Sequence, residues 1–407
     1  MLRTSASPNL SICAKLLLGI AKQPSKSCSR FYYPASAAIA TTTTRAMSSS
    51  SSTTAAAAAA GTKPAVLLIG GLAHCNEQWQ SLGSKYQLLE FRQGTRAQFL
   101  ANCREGAYDG VRGCYRSNNS TSVTGPFDAE LVAALPASWR YIAHNGAGYD
   151  NIDVAACTAR RIAVSSTPRA VDDATADIAI FLMLGALRQV HAPYTALRAG
   201  NWKGPSPPRL GHDPRGKTLG ILGMGGIGRA MARRARAFGM RVVYHNRRRL
   251  ADPALEDGAA YAETLDALLA AADVLSLNLA LNAQTRHIVG AAELARCKPG
   301  VVVVNTARGA LIDEAALVAA LESGHVAAVG LDVFENEPEI HEGLLRSDRA
   351  FMVPHLGTST YETQRGMEQL VLRNLEAVVD RGEMYTLVGE QKGLDWAPKE
   401  ADFDEVF

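Results

Sequence analysis

The sequence predicts an α/β protein built from two series of parallel strands and helices. From Lys63 onward, short apolar segments of strand length alternate with segments of helical spacing, a pattern typical of parallel sheets with helices on both faces. A long apolar segment with helical spacing, residues 171–190, divides this alternation into two series. The chain has 407 residues, which is enough for two domains that each have their own core.

The first series consists of short apolar segments of strand length, and residues 97–103 are expected to begin a helix between them. Its predicted strands are residues 65–69, 108–115, 141–144 and 162–165. The long helix 171–190 follows. Residues 200–215 contain four prolines and are therefore expected to form a loop.

The second series begins directly after this loop. Its predicted strands are residues 218–222, 241–245, 274–278, 301–305, 326–331 and 351–353. Helical segments separate these strands, the last long helix is expected at about residues 362–381, and a polar tail follows.

Composition excludes several classes of protein. Hydrophobic residues make up 47% of the chain and charged residues 20%, as in globular proteins. No segment approaches the roughly 18 apolar residues of a membrane span, so a soluble protein is expected. After residue 60 the chain has a small excess of acidic side chains, which gives no footprint for nucleic acid. No metal-ligand motif is present, so no metal is predicted.

The first 60 residues have a different composition from the rest. They contain six basic side chains and no Asp or Glu, and they are rich in Ser, Thr and Ala. This composition is typical of a mitochondrial presequence, so residues 1–62 are interpreted as a targeting leader to the matrix. The alternative is a disordered, low-complexity leader. A start at Met47 would remove most of the signal and leave a cytosolic form.

A glycine-rich motif follows the first strand of the second series. The motif is Gly223-Met224-Gly225-Gly226-Ile227-Gly228. It lies between a predicted strand and a helix inside one βαβ unit, which is the context in which G-x-G-x-x-G binds a dinucleotide. Gly223 permits the tight turn, Gly225 lets the backbone approach a pyrophosphate, and Gly228 lets the helix pack on the strand. The helix N-terminus, at Gly226 and Ile227, then faces the phosphates.

The end of the next strand indicates which dinucleotide is bound. An acidic residue there would bind the adenosine ribose and favour NAD(H). This chain has Asn246 at that position, followed by Arg247, Arg248 and Arg249. Guanidinium groups bind phosphate, so NADP(H) is expected to be preferred, with NAD(H) as the alternative. An exposed basic turn without a ligand is the other interpretation.

Three residues of the second series fit the reduction of a 2-oxo acid. This reaction needs a cation for the carboxylate and carbonyl, a general acid, and a group that keeps the acid protonated. Arg308, Glu337 and His355 follow predicted strands in that order. Ligands of α/β proteins bind at the carboxyl ends of parallel strands. Each residue alone could be structural, but together they predict an active site.

The segments around these residues resemble the D-2-hydroxyacid dehydrogenase family. The similarity covers about residues 65–385 and is carried by V-N-T-A-R-G, G-L-D-V-F-E-N-E-P and P-H-L-G after the glycine motif, and by H-N-G-A-G-Y-D-N-I-D and T-P-R-A-V-D-D-A-T-A-D before it. Within the family the chain is most similar to the glyoxylate/hydroxypyruvate reductases, particularly the fungal type, through H-D-P-R-G-K and H-N-R-R.

The resemblance implies a role for each matching residue. Arg308 would bind the carboxylate and carbonyl of the acid, His355 would donate the proton, and Glu337 would stabilise the imidazolium. The backbone N–H groups of Ala147 and Gly148 would hold the carboxylate. The remaining assignments are cofactor contacts: Thr175, Thr306, Ala307, Asp332 and Thr358. Asn278 to Leu281 replace a loop that often contains proline in the family, which makes the cofactor contact there less defined.

The resemblance also implies the domain organisation. A Rossmann-type cofactor domain, residues 169–356, would be inserted in a smaller flavodoxin-like α/β substrate domain formed by residues 63–168 and 357–407. The active site would lie in the cleft between them, and closure would exclude water. Members are usually homodimers. His144 and the other histidines except His355 are interpreted as surface or packing residues, although His245 is also a candidate for contact with the cofactor.

Three alternatives remain at this point. Formate dehydrogenases share the fold but have Gln where Glu337 stands. Phosphoglycerate dehydrogenase or another D-2-hydroxyacid dehydrogenase is a nearer alternative, although many phosphoglycerate dehydrogenases have a C-terminal regulatory domain for which the tail here is too short. A redox-sensing, corepressor-like binding protein is an alternative of another class; its NAD(H) binding would favour an acidic residue where this chain has Asn246.

Overall fold

The computed structural model describes residues 63–204 and 209–403. The predicted leader and the alternative start at Met47 lie outside these residues. In the described part, the strands are β1 Ala65–Ile69, β2 Gln87–Phe91, β3 Val111–Ser117, β4 Tyr141–Asn145, β5 Ala163–Ser165, β6 Thr218–Leu222, β7 Arg241–His245, β8 Ala260–Tyr261, β9 Val274–Leu277, β10 Val301–Asn305, β11 Val326–Leu331, β12 Ala350–Met352, β13 Glu383–Met384 and β14 Lys399–Glu400.

The helices alternate with these strands, as the sequence predicts. They are α1 Asn76–Ser81, α2 Arg96–Arg104, α3 Thr121–Thr124, α4 Ala129–Ala134, α5 Val154–Ala159, α6 Asp172–Leu187, α7 His191–Arg198, α8 Gly226–Ala237, α9 Leu265–Ala271, α10 Ala291–Arg296, α11 Glu314–Ser323, α12 Glu342–Arg346 and α13 Tyr361–Arg381. In the part of the chain that is described, no helix is long and apolar enough to cross a membrane.

Strands β1 to β5 form the first sheet. All of its strands are parallel and their order is β2-β1-β3-β4-β5, which is the flavodoxin-like order. The inner strand β1 is buried along its whole length because side chains pack against both faces. Leu67 packs with the cluster of Phe99 on one face, while Leu68 packs with Leu372 of α13 on the other.

Strands β6 to β12 form the second sheet. All are parallel, in the order β12-β11-β10-β9-β6-β7-β8, so that the chain runs outward from β6 in both directions as in Rossmann folds. Leu182 of α6 packs with Ile221 on one face, and Leu317 of α11 packs with Val303 on the other. The two sheets confirm the predicted fold class.

Several predicted boundaries are wrong. Residues 108–110 form a turn rather than the start of a strand, because Gly110 has a φ of 83° that breaks the extended backbone, and β3 begins at Val111. The long helix predicted at residues 171–190 is shorter, since α6 ends at Leu187.

Strand β2 was not predicted, because it lies at the sheet edge with mostly exposed or half-exposed side chains and therefore has no apolar run. The tail contains the parallel pair β13 and β14.

Candidate active site

A cleft of about 1510 Å³ is lined by loops that follow strands of both sheets. The first sheet contributes Ala147 and Gly148, which come after β4. The second sheet contributes Arg308 after β10, Glu337 after β11 and His355 after β12. The residues predicted to bind and protonate the acid therefore face one cavity.

His355 and Glu337 form a hydrogen-bonded pair in this cleft. Nδ1 of His355 lies 2.9 Å from Oε2 of Glu337, while Oε1 of Glu337 accepts the backbone N–H of Phe334 at 3.0 Å. The hydrogen bond to Glu337 raises the pKa of His355, although burial acts in the opposite direction. Burial would raise the pKa of Glu337, but the hydrogen bonds from His355 and Phe334 outweigh it and the pKa is lowered. The pair thus favours an imidazolium beside a carboxylate.

The backbone at His355 is held in a sparsely populated conformation. Its φ is 55°, in the left-handed region that a non-glycine residue adopts only when its surroundings impose it. The backbone N–H of His355 donates to the carbonyl of Asp332 at 2.8 Å. The two carboxylate oxygens of Asp332 accept the N–H groups of Leu356 and Gly357, at 2.5 and 2.9 Å. Asp332 therefore determines the direction in which the imidazole leaves the backbone.

Arg308 extends from the second sheet to the Ala147–Gly148 loop of the first. Its Nε donates to Oδ1 of Asp150 at 2.8 Å and one terminal nitrogen donates to the carbonyl of Ala307 at 2.8 Å. A Cβ on residue 148 would collide with the other terminal nitrogen, so the guanidinium needs glycine there. Asn305 shapes the turn because its side-chain NH₂ donates to the carbonyl of Arg308 and its side-chain oxygen accepts the N–H of Ala307.

The Ala147–Gly148 loop offers two free backbone donors. In the described chain, neither its N–H at Ala147 nor that at Gly148 donates to another group. The carbonyl of Gly148 instead contacts Nε2 of His144, which is buried and whose Nδ1 lies 3.0 Å from Arg116. Free N–H groups beside a guanidinium form a binding site for a carboxylate.

The glycine motif has the geometry that a pyrophosphate requires. Gly223 has a φ of 102°, and a Cβ on Gly228 would collide with the carbonyl of Gly223. A Cβ on Gly225 would meet nothing within 4 Å, so the backbone is open to a ligand at this point. Helix α8 begins at Gly226 with no side-chain cap, which leaves its first N–H groups free. Gly226 itself must lack a side chain because Asp172 occupies that space.

The residues after β7 divide into two groups. Asn246 uses its side-chain oxygen to accept the N–H of Met224, at 2.7 Å, and thereby supports the glycine loop. Arg247 and Arg248 are exposed, and neither forms a hydrogen bond or ion pair within the described residues. Arg249 differs from the expectation for the arginine run, because it pairs with Glu256 at 2.7 and 2.9 Å. Two arginines, rather than three, are available for a phosphate.

Six predicted cofactor contacts lie on the cleft, whereas the glycines of the motif and the residues Asn246, Arg247 and Arg248 are not among the described residues that line it. Thr175, Thr306, Ala307, Asp332, Thr358 and Ile227 line the cavity. The hydroxyl of Thr306 and the side-chain oxygen of Asn278 are buried without a partner. The hydroxyl of Thr358 accepts from Gln364 at 3.0 Å. Orphaned polar atoms in a cavity fit a bound polar ligand, so these residues fit a nicotinamide dinucleotide.

Sequence reasoning missed three residues of this site. Asp150 fixes the guanidinium of Arg308, and Arg116 and His144 support the Ala147–Gly148 loop. His144 was interpreted as a surface or packing residue; it is fully buried, but it also hydrogen-bonds the loop. The signal available in the sequence was position, since β3 and β4 end at Ser117 and Asn145 on the edge of the sheet that faces the cleft.

The chain is similar to a known family and to a named fungal protein. Residues 180–357 match the family model described as D-isomer specific 2-hydroxyacid dehydrogenase, NAD binding domain. The chain is 61% identical over 331 residues to 4-methyl-2-oxopentanoate reductase A of Aspergillus oryzae, covering 81% of this chain and 99% of that protein.

Solved structures are similar to most of the chain. The crystal structure of a glyoxylate reductase from Paecilomyes thermophila is 63% identical, with a TM-score of 0.79, covering 81% of this chain and 99% of that one. An NADPH-dependent glyoxylate/hydroxypyruvate reductase from Sinorhizobium meliloti, in complex with NADP and malonate, is 32% identical, with a TM-score of 0.72 and coverage of 84% and 100%.

Proposed function

The chain belongs to the D-isomer specific 2-hydroxyacid dehydrogenase family, and we propose that it uses NADPH to reduce glyoxylate or hydroxypyruvate to the 2-hydroxy acid, which for hydroxypyruvate is the D-isomer. The family makes the protein an oxidoreductase with an NAD-binding domain. The single observation that carries the proposal is the His355–Glu337 pair, at 2.9 Å, in the same cleft as Arg308 and the free N–H groups of Ala147 and Gly148.

A few residues of the cleft each perform one part of the proposed reaction. Thr306, Ala307 and Asp332 would hold the nicotinamide, which when bound would supply a hydride to the carbonyl carbon of the acid. Arg308 and the N–H groups of Ala147 and Gly148 bind the carboxylate, and Arg308 also withdraws electron density from the carbonyl oxygen. His355 donates a proton to that oxygen as negative charge develops on it, and Glu337 stabilises the imidazolium beforehand.

The preference for NADPH rests on the residues after β7. A carboxylate at position 246 would repel the 2′-phosphate, and Asn246 does not. Arg247 and Arg248 are exposed and unpaired, so their guanidinium groups can bind that phosphate. NADH is the alternative cofactor.

A second candidate substrate is 4-methyl-2-oxopentanoate. The relative from Aspergillus oryzae is named a 4-methyl-2-oxopentanoate reductase, although the similarly close structure from Paecilomyes thermophila is named a glyoxylate reductase. The acids share the carboxylate and carbonyl that Arg308 and His355 would contact, and they differ only in the group attached to the carbonyl carbon. The ratio of kcat/KM for 4-methyl-2-oxopentanoate and glyoxylate decides between them.

The experiment follows the loss of NADPH absorbance with the purified chain and each acid, and it includes Arg308→Ala and His355→Ala. We expect rapid oxidation of NADPH that both substitutions abolish. Faster turnover with NADH would overturn the assignment of Arg247 and Arg248. Tight binding of cofactor without turnover of any acid would favour the corepressor-like, redox-sensing alternative.

The domain division and its movement are also proposed. Helix α6 packs on the second sheet and α13 on the first, which supports a cofactor domain of residues 169–356 inserted in a substrate domain of residues 63–168 and 357–407. Closure of the cleft would remove water from the acid. Small-angle scattering should show compaction with NADP⁺ and oxalate; unchanged dimensions would contradict closure.

We further propose a homodimer. Large apolar side chains are exposed on and after α6 and α7: Phe181, Tyr194, Leu197, Trp202 and Leu210. Exposed apolar surface of this extent in one segment is typical of a protein interface. Light scattering coupled to gel filtration should give twice the mass of the chain, and a monomer at micromolar concentration would contradict this.

The composition of residues 1–60 supports a proposal for location. The full chain would be imported into the mitochondrial matrix, and a chain that starts at Met47 would stay in the cytosol. N-terminal sequencing of the protein from each compartment tests both forms. Full-length protein with Met1 in the cytosol alone would contradict import.

A further inference from the structure

Behind the Ala147–Gly148 loop lies an arginine that the proposed reaction does not use. Arg116, the penultimate residue of β3, is fully buried. Its terminal nitrogens contact neutral groups: Nδ1 of His144 at 3.0 Å, Oγ1 of Thr121 at 3.0 Å and Oδ1 of Asn151 at 3.3 Å. The guanidinium lies 4.9 Å from the centre of the Phe127 ring, and its Nε has no hydrogen-bond partner among the described residues.

This environment is unusual for a cation. Burial lowers the pKa of Arg116 to about 10, so the guanidinium is still charged at neutral pH. None of its hydrogen bonds goes to a carboxylate. The charge of Asp150 acts on Arg116 without a hydrogen bond between them. A buried charge that no carboxylate hydrogen-bonds is destabilising, and groups of this kind are concentrated at functional sites.

His144 connects this charge to the loop. A guanidinium can only donate, so Nδ1 of His144 accepts from Arg116 and the ring proton is on Nε2. Nε2 lies 3.2 Å from the carbonyl oxygen of Gly148 and donates to it. Burial and the charge of Arg116 keep the pKa of His144 well below its ordinary value, so the ring is neutral and this direction of donation is fixed.

The hydrogen bonds from Arg116 to His144 and from His144 to Gly148 determine how the loop faces the cleft. The carbonyl of Gly148 is turned toward buried His144, whereas Ala147 and Gly148 line the cavity with free N–H groups. Arg308 lies against Gly148 on the cleft side. The loop is therefore between two guanidinium groups, and among the described residues the only carboxylate that hydrogen-bonds either of them is Asp150, which accepts from Arg308.

We propose that Arg116 is a positioning residue for the substrate carboxylate, which it serves by orienting the Ala147–Gly148 donors through His144. The charge of a bound carboxylate also compensates the unpaired cation behind the loop. This inference rests on the proposed function, because it takes these N–H groups as ligands of the acid. Arg116 does not touch the acid and does not take part in proton transfer.

The test replaces Arg116 with methionine, which fills similar volume without charge, and with lysine, which keeps the charge. For Arg116→Met we expect KM for glyoxylate to rise about 10-fold or more, with a kcat within about 3-fold of wild type and an unchanged Kd for NADPH. Arg116→Lys should recover part of the loss. Arg160→Met is the matched control, because Arg160 bonds the carbonyls of Val132 and Pro136 away from the loop. It should leave KM unchanged.

A second measurement does not depend on turnover. Calorimetry with oxalate and the NADP⁺ complex should show an affinity loss of about 10-fold or more in Arg116→Met. If wild type binds oxalate but reduces no 2-oxo acid, the proposed function fails and the oxalate comparison still tests Arg116. Unchanged oxalate affinity and unchanged KM in Arg116→Met would overturn the inference.

A pair of variants at His144 covers the case in which Arg116→Met does not fold. His144→Gln keeps an N–H donor for the carbonyl of Gly148, whereas His144→Leu removes it. We expect His144→Leu to raise KM for glyoxylate about 10-fold above His144→Gln. Equal KM values in the two variants would show that the hydrogen bond from His144 to the carbonyl of Gly148 does not orient the loop, and would overturn the inference.

Discussion

Asp332 holds the backbone of His355 and of the two residues after it through three hydrogen bonds, none of which involves the imidazole. The carbonyl of Asp332 accepts the N–H of His355, and its carboxylate accepts those of Leu356 and Gly357. The positive φ of His355 persists because these bonds impose it. Asp332 was expected to contact the cofactor; the structure adds that its carboxylate supports the proposed proton donor.

Asp332→Ala is expected to lower kcat/KM for glyoxylate about 100-fold, because a shift of about 1 Å in a reacting group has an effect of this size. Asp332→Asn keeps one acceptor oxygen and should lose less. Steady-state kinetics with both variants measures the difference, and thermal unfolding monitors the fold. Wild-type kcat/KM in the folded Asp332→Ala variant would show that the turn does not need the carboxylate.

Glu337→Gln is expected to change the pH dependence of reduction. Reduction needs His355 protonated, and its folded-state pKa is raised by Glu337, so the wild-type rate should be lost only as pH rises through that raised pKa. Without the carboxylate the pKa falls, and the loss should occur at lower pH. The measurement is kcat/KM against pH for both proteins. His287→Gln is a control, since it removes another His–Glu pair, with Glu335.

The outcome that contradicts this prediction is an identical descending limb in wild type and Glu337→Gln. It would mean that the rate depends on a group other than His355.

Arg247→Ala and Arg248→Ala together are expected to raise KM for NADPH about 10- to 100-fold and to leave KM for NADH unchanged. Hydrogen bonds from guanidinium to phosphate have this strength, and NADH has no 2′-phosphate. Arg249→Ala is the matched control, because Arg249 is already paired with Glu256 and should affect stability rather than cofactor choice. An equal rise in KM for both cofactors would contradict a 2′-phosphate site.

Gly309→Ala is expected to destabilise the protein by about 1–3 kcal/mol, the usual cost of forcing an extra group into a packed site. A Cβ at residue 309 would collide with the backbone of Phe334 and Glu335, so the loop that ends at Glu337 must move. We expect a lower Tm together with a lower kcat. A Tm unchanged from wild type would show that the loop relaxes without cost. Gly300→Ala tests backbone strain alone, since its φ is 84° and no atom lies near the added Cβ.

The parts predicted well from sequence are those that depend on local pattern. Strands β6, β10 and β11 are buried on both faces and so form continuous apolar runs with clear ends. The loops after β10, β11 and the edge strand β12 then place Arg308, Glu337 and His355 at the carboxyl ends of the strands of the second sheet. Edge strand β2 has no such run and was missed.

The parts that could not be predicted depend on which side chains meet in space. Arg249 was grouped with Arg247 and Arg248, yet it folds back on Glu256. Asp150 meets Arg308 from a position 158 residues away. Contacts of this kind depend on the packing of both sheets, about which periodicity contains no information.

The chain passes from one sheet to the other twice, and the two passages lie side by side. Thr175, near the start of α6, packs against Gly357, just before α13. The entry and exit of the second-sheet segment are therefore neighbours, as in proteins where one domain has been inserted into a surface loop of another. To the flavodoxin-like host, the whole intervening segment is equivalent to a short connection. A different module with closely spaced ends should therefore be accepted at the same junction.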